Sequence, residues 1–160
     1  VAIASHAGTL DREEEGLVMK ILVVDDEPVS RRMLERIMQT FGDCSSVASG
    51  AEAIAAFEAA WASWAPFDLI TLDVSMPEMD GTETLSQIRQ RENAKHVPND
   101  KRVKVVMVTA RSDKPTVLTA IQAGCNDYIT KPLQRETIAK KLARLWVPWG
   151  QPLVRTAMSR

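Results

Sequence analysis

Four apolar runs in this chain end in residues that can do chemistry. Met19 to Val24 leads into Asp25 and Asp26, and Phe67 to Leu72 leads into Asp73. Val103 to Val108 delivers Thr109, and Tyr128-Ile129-Thr130 delivers Lys131-Pro132. Short apolar runs of this kind read as strands, so acids, a hydroxyl and a lysine all fall at the carboxyl ends of strands. In an open α/β sheet that edge is where ligands bind. The set suits a divalent cation and a phosphoryl group.

Three carboxylates brought together repel one another. A hard cation relieves the repulsion and prefers oxygen ligands, and Mg2+ typically takes one or two carboxylates besides phosphate and water. Asp26 and Asp73 are the expected direct ligands, with a backbone carbonyl near Ser75, and Asp25 is expected to act through water. The plainer alternative for Asp25 is a cap on the turn into the next helix. Asp73 is the candidate nucleophile, because a carboxylate can form an acyl phosphate; alone it would read as a turn aspartate.

Lys131 is expected to neutralise phosphoryl oxygens from the side opposite the metal. A loop lysine is ordinarily just solvated, but Pro132 fixes this turn and holds Lys131 extended. A cis Lys131-Pro132 bond is admissible, though uncommon among X-Pro bonds. Thr109 offers a hydroxyl to a phosphoryl oxygen, or to its own local backbone. Tyr128 reads equally as a half-buried packing residue or as a mobile reporter of the state of the site.

Five strand-then-helix units must position these groups. Ile21 to Val24, Ser45 to Ala48, Leu69 to Leu72, Val103 to Val108 and Asp127 to Thr130 are the expected strands. Arg31 to Gln39 carries Met33, Leu34, Ile37 and Met38 at helical spacing, with Pro28 near the helix start and Gly42 ending it. Ala51 to Trp64, Gly81 to Arg91, Thr116 to Ala123 and Leu133 to Trp146 are the other expected helices, and Gly124 ends the fourth. Asn93 to Lys101 reads as an unusually long polar loop. Alternating strands and helices argue a parallel sheet covered on both faces.

At 160 residues the chain fits one domain with a substantial core. We expect a flexible, acidic N-terminal arm over 1–18, a folded domain over 19–147 and a short tail over 148–160. A net charge of -1 gives no global pull toward nucleic acid or anionic lipid. No apolar stretch approaches a membrane span, and no signal-peptide pattern opens the chain, so a cytoplasmic location is expected. Cys44 and Cys125 read as partly buried thiols rather than a disulfide, and His6 and His96 are too few for a zinc site.

Four segments together resemble the receiver domain of two-component response regulators. They are Val24-Asp25-Asp26-Glu27-Pro28, Leu72 to Gly81 around Asp73, Met107-Val108-Thr109-Ala110, and Ala123 to Pro132. The resemblance runs from about Met19 to Leu145. It implies a flavodoxin-like (βα)5 fold with a five-stranded parallel sheet in the order 2-1-3-4-5. It implies that Asp73 takes a phosphoryl group from a phosphohistidine of a sensor kinase or phosphotransfer protein, with Mg2+ and slow self-hydrolysis. It also implies that phosphorylation draws Thr109 and Tyr128 inward and changes the partners of the face made by the fourth helix, fifth strand and fifth helix. A monomer, or a weak homodimer through that face, is expected. Ser75 and Arg111, two positions beyond Asp73 and Thr109, occupy places that tune phosphoryl lifetime in that family.

Two other functions compete. A haloacid-dehalogenase-type phosphatase usually carries a second aspartate two positions past the nucleophile, where this chain has Ser75. A phosphate-independent interaction scaffold would have no need to keep five polar groups clustered. No glycine-rich phosphate loop follows the first strand, which disfavours a nucleotide-binding fold. No DNA-binding or enzymatic segment is recognisable after Trp146, so output by protein contact is expected.

Overall fold

A computed structural model describes residues 18–110 and 114–145 of the chain. The strands are β1 (Lys20–Val24), β2 (Asp43–Val47), β3 (Leu69–Asp73), β4 (Lys104–Thr109) and β5 (Asp127–Thr130). The helices are α1 (Pro28–Met38), α2 (Gly50–Ala62), α3 (Gly81–Ala94), α4 (Lys114–Gln122) and α5 (Arg135–Leu145). All strand pairs are parallel, and the sheet order is β2-β1-β3-β4-β5, the order implied by the resemblance. The order reverses between β1 and β3, and at such a switch point the carboxyl ends of neighbouring strands open a crevice.

The sheet has a hydrophobic core on each side. Leu22, Val24, Ile70, Leu72, Val105 and Met107 meet α2 and α3 through Ala53, Phe57, Leu85 and Ile88. Ile21, Val23, Leu69, Val106, Val108 and Ile129 meet α1 and α5 through Leu34, Met38, Ile138 and Leu142. Both faces of β1, β3 and β4 are therefore dry, which is why these strands read as continuous apolar runs rather than alternating ones. Edge strand β2 is exposed or half-buried throughout, and its sequence Asp-Cys-Ser-Ser-Val is correspondingly polar.

Local chemistry sets the helix starts. Ser49 caps α2 by accepting from Glu52 N, while Glu52 Oε2 accepts from Ala48 N. Asp80 caps α3 through Glu83 N. Gly81 opens α3 against the end of β3, where a Cβ would lie 2.1 Å from the Asp73 carbonyl oxygen. Only glycine lets the backbone approach that closely.

Several element boundaries differ from the sequence reading. β2 begins at Asp43 rather than Ser45, because Gly42 carries the chain against Met19 and Asp43 N donates to Met19 O. α2 stops at Ala62, and Trp64 turns left-handed (φ 58) with its side chain 94% exposed. The expected long loop over 93–101 is shorter: α3 continues to Ala94 and a 3-10 turn forms at Asn99–Lys101. Arg102 supports it by donating to Val97 O and Asn93 Oδ1. On α1, Leu34 and Met38 are buried while Met33 is 48% exposed. The thiols of Cys44 and Cys125 are free and half-buried. The acidic arm over 1–17, Arg111, Trp146, Trp149 and the tail over 148–160 lie outside the described residues. No described helix is long and apolar enough to cross a membrane.

Candidate phosphoacceptor site

The strand order brings the expected residues to one edge. Val24 pairs with Leu72 and Asp73 with Val108, so β1, β3 and β4 end almost level. One carboxylate oxygen from each of Asp25, Asp26 and Asp73 lies within 4.8 Å of the others. Asp25 and Asp73 are buried, and Asp26 is half-exposed. Lys131 reaches in from the end of β5, with Nζ 3.5 Å from Asp25 Oδ2 and 3.7 Å from Asp73 Oδ2. The Lys131-Pro132 peptide is cis, and Lys131 N donates to Thr109 O. That bond ties the lysine's turn to the last residue of β4.

Asp25 is not the cap of α1. Its Oδ1 accepts from Glu27 N at 2.9 Å, and the cap is Glu27, whose carboxylate accepts from Val29 N and Ser30 N. Those two backbone N–H groups hold the Glu27 carboxyl below its usual range. With Glu27 capping the helix, Asp25 Oδ2 is left to face the site. Arg31 Nη1 donates to the Asp25 carbonyl oxygen at 2.9 Å and fixes the turn from below. The sequence reading assigned no role to Arg31 or to the Glu27 side chain. Pro28 at the first helical turn was the available signal that the residue before it caps the helix.

The carboxyl of Asp73 is poorly satisfied. Its Oδ1 accepts from Ser75 N at a long 3.3 Å, and Ser75 itself is exposed. Burial pushes the Asp73 carboxyl up to about 6; the Lys131 ammonium opposes that rise, and Asp25 adds to it. Thr109 is buried at the end of β4, opposite Thr130. Tyr128 sits one step behind this edge, opposite Met107, half-buried, with the Lys141 ammonium 4.8 Å from its ring centre. The donors are all carboxylate oxygens, which is the chemistry of a hard divalent cation. A cation would also relieve the burial and repulsion that resist ionisation of Asp73, so the residues present fit Mg2+.

The chain belongs to the response regulator receiver domain family, whose model matches residues 21–143. It is 36% identical over 129 residues to hybrid signal transduction histidine kinase L of Dictyostelium discoideum, covering 80% of this chain and 7% of that protein. It is 32% identical over 130 residues to chemotaxis protein CheY-3 of Vibrio cholerae, covering 80% of this chain and 92% of that one. The solved receiver domain of the sensor histidine kinase PA1611 from Pseudomonas aeruginosa PAO1 has magnesium coordinated in its active-site cleft. It superposes with a TM-score of 0.66 at 29% identity, covering 80% of this chain and 97% of that one. Family membership displaces the phosphatase alternative. The receiver module thus occurs both as a small part of a large kinase and as nearly a whole protein.

Proposed function

We propose that Asp73 is the phosphoacceptor of a Mg2+-dependent receiver, taking its phosphoryl group from a phosphohistidine on a sensor kinase or phosphotransfer protein. The observation that carries this is the convergence of Asp25, Asp26 and Asp73 within 4.8 Å, with Lys131 Nζ between the two buried acids. One Asp73 oxygen attacks phosphorus, the P–N bond of the phosphohistidine breaks, and the released imidazole nitrogen keeps the electron pair and takes up a proton. Asp26, Asp73 and the backbone carbonyl near Ser75 would hold Mg2+, which would supply positive charge to the phosphoryl oxygens. Asp25 would act through water on the metal, while Lys131 binds a phosphoryl oxygen and Thr109 donates its hydroxyl to another. Hydrolysis is attack of water on phosphorus, returning the Asp73 carboxylate and inorganic phosphate. The receiver resemblance implies that this step is slow.

Output is by protein contact. The phosphoryl group biases a two-state arrangement of Thr109 and Tyr128, and the face of α4, β5 and α5 changes its partners. Ser75 and Arg111 tune the lifetime of the phosphorylated form. An Arg111→Ala variant with an unaltered hydrolysis rate would remove Arg111 from that role.

The direct test is reaction of the purified chain with acetyl phosphate, with and without Mg2+, beside Asp73→Asn. The expected result is an intact-mass gain of one phosphoryl group, about 80 Da. It should require Mg2+ and vanish in the variant. No gain in a folded sample would leave the phosphate-independent scaffold as the better reading.

A further inference from the structure

At the opposite, amino edge of the sheet, two adjoining open grooves of about 510 and 360 Å3 share Trp61 and Pro66. The first runs between the end of α2 and the end of α3, with Trp64 and Lys95 on its walls. The second continues past Phe67 and Asp68 to Lys101 and Lys104. Neither groove touches the phosphoacceptor site. Trp64 is held out in solvent by a left-handed backbone, and the Lys95 ammonium lies 5.9 Å from the Trp61 ring centre.

Charge on this rim is unbalanced. Glu58 is neutralised by Arg91 at 2.6 Å, and Asp68 accepts from Lys20 N at 2.7 Å. The second groove carries Asp68 and Asp100 against Lys101, Arg102 and Lys104. Lys95, Lys101 and Lys104 make no ion pair among the described residues.

The chain enters the fold beside this rim. Lys20 N donates to Asp68, Lys20 O accepts from Asp68 N, and Lys20 Nζ reaches Ala65 O at 2.6 Å and sits over Phe67. Two residues earlier, Val18 is exposed, and the segment before it reads Asp11-Arg12-Glu13-Glu14-Glu15-Gly16-Leu17. Glu15 lies five positions before Lys20, a reach of up to about 17 Å. A tether this short gives the arm an effective concentration on the order of a millimolar, so a weak contact is enough to populate the docked form.

We infer that the acidic N-terminal arm, Asp11 to Glu15, docks on the Trp61/Trp64 groove through Lys95, Lys101 and Lys104. The contact is electrostatic in origin, so salt weakens it. It caps the amino edge of the domain independently of Asp73 chemistry.

The test uses the full chain with 15N label, following the indole N–H resonances of Trp61 and Trp64, each assigned by its Trp→Phe variant. Spectra are taken at about 0.01 M and about 1 M ionic strength, where the screening length falls from roughly 30 Å to roughly 3 Å. In the parent both resonances should move with salt. In E13Q/E14Q/E15Q they should already sit near the high-salt positions and move little. Reversing both sides, with E13K/E14K/E15K and K95E/K101E/K104E together, should restore the salt-dependent movement that either triple change alone abolishes. Unchanged resonances in the glutamine variant, or failure of the double reversal to restore the movement in a folded protein, would overturn the proposal.

Discussion

Two buried charge clusters in this molecule are built to opposite rules. At the amino end of β4, Glu92 is fully buried at the end of α3, and every bond around it is short. Its Oε2 meets Arg89 at 2.7 Å and its Oε1 accepts from Val103 N at 2.8 Å. Arg89 also donates to Val103 O, to Gly124 O and to Asn126 Oδ1 at 2.9–3.1 Å, and Asn126 Oδ1 in turn accepts from Val105 N. At the carboxyl edge, Asp25 and Asp73 are almost as buried, yet Lys131 stands 3.5 and 3.7 Å away and Ser75 N 3.3 Å. The first cluster is saturated and staples α3 to the α4–β5 connection. The second is left under-satisfied, which is the opening that the proposed Mg2+ and phosphoryl group would fill. Burial of charge by itself signals neither stability nor function; how completely the charge is paired separates the two.

Breaking the saturated cluster should have the largest effect. Arg89→Ala strands the buried Glu92 carboxylate and should cost about 3–5 kcal/mol, read from urea unfolding. A loss below 1 kcal/mol in that measurement would mean that the cluster is not the staple described. In the open cluster, Lys131→Ala should leave the fold intact and slow acetyl-phosphate labelling about a hundredfold, followed by intact mass over time. Unchanged labelling would remove Lys131 from the transfer step. Gly81→Ala sits between the two cases, since its Cβ would meet the Asp73 carbonyl at 2.1 Å. It should destabilise by about 2 kcal/mol by overpacking and slow labelling as well.

The smallest effect sharpens the contrast by its sign. The Asp73 carboxyl stands at about 6 in the fold, against about 3.9 in an unfolded chain. The native state therefore holds the extra proton between these values, and metal-free stability should fall as pH rises from about 4 to about 6. Asp73→Asn removes that slope. It should be neutral below about pH 4 and stabilising by about 1 kcal/mol above pH 6, after allowance for solvent screening at the site opening. The same proton competes with Mg2+, so affinity for the metal should drop below about pH 6. A flat stability profile in the parent protein would contradict the raised carboxyl.

The sequence alone carried the alternation of strands and helices, because central strands buried on both faces must be apolar runs and helices must show their own period. It also carried the placement of Asp25, Asp26, Asp73, Thr109 and Lys131 at the carboxyl ends of strands, since each follows or closes such a run. Residues whose role depends on a distant partner were not legible. Glu92 looks like any polar residue near a helix end until Arg89, Val103 and Asn126 surround it. Arg31 and Glu27 gain meaning only when the turn after β1 closes over Asp25. Met33 shares the helical spacing of Leu34 and Met38, but the single face that α1 turns to the sheet leaves it in solvent. Helix ends were equally open, because α2 stops before the left-handed Trp64 and α3 runs on to Ala94. Local pattern fixes what each segment is; which segments meet is decided by strand order and parallel register. That order and register bring together residues as far apart as Asp25 and Lys131.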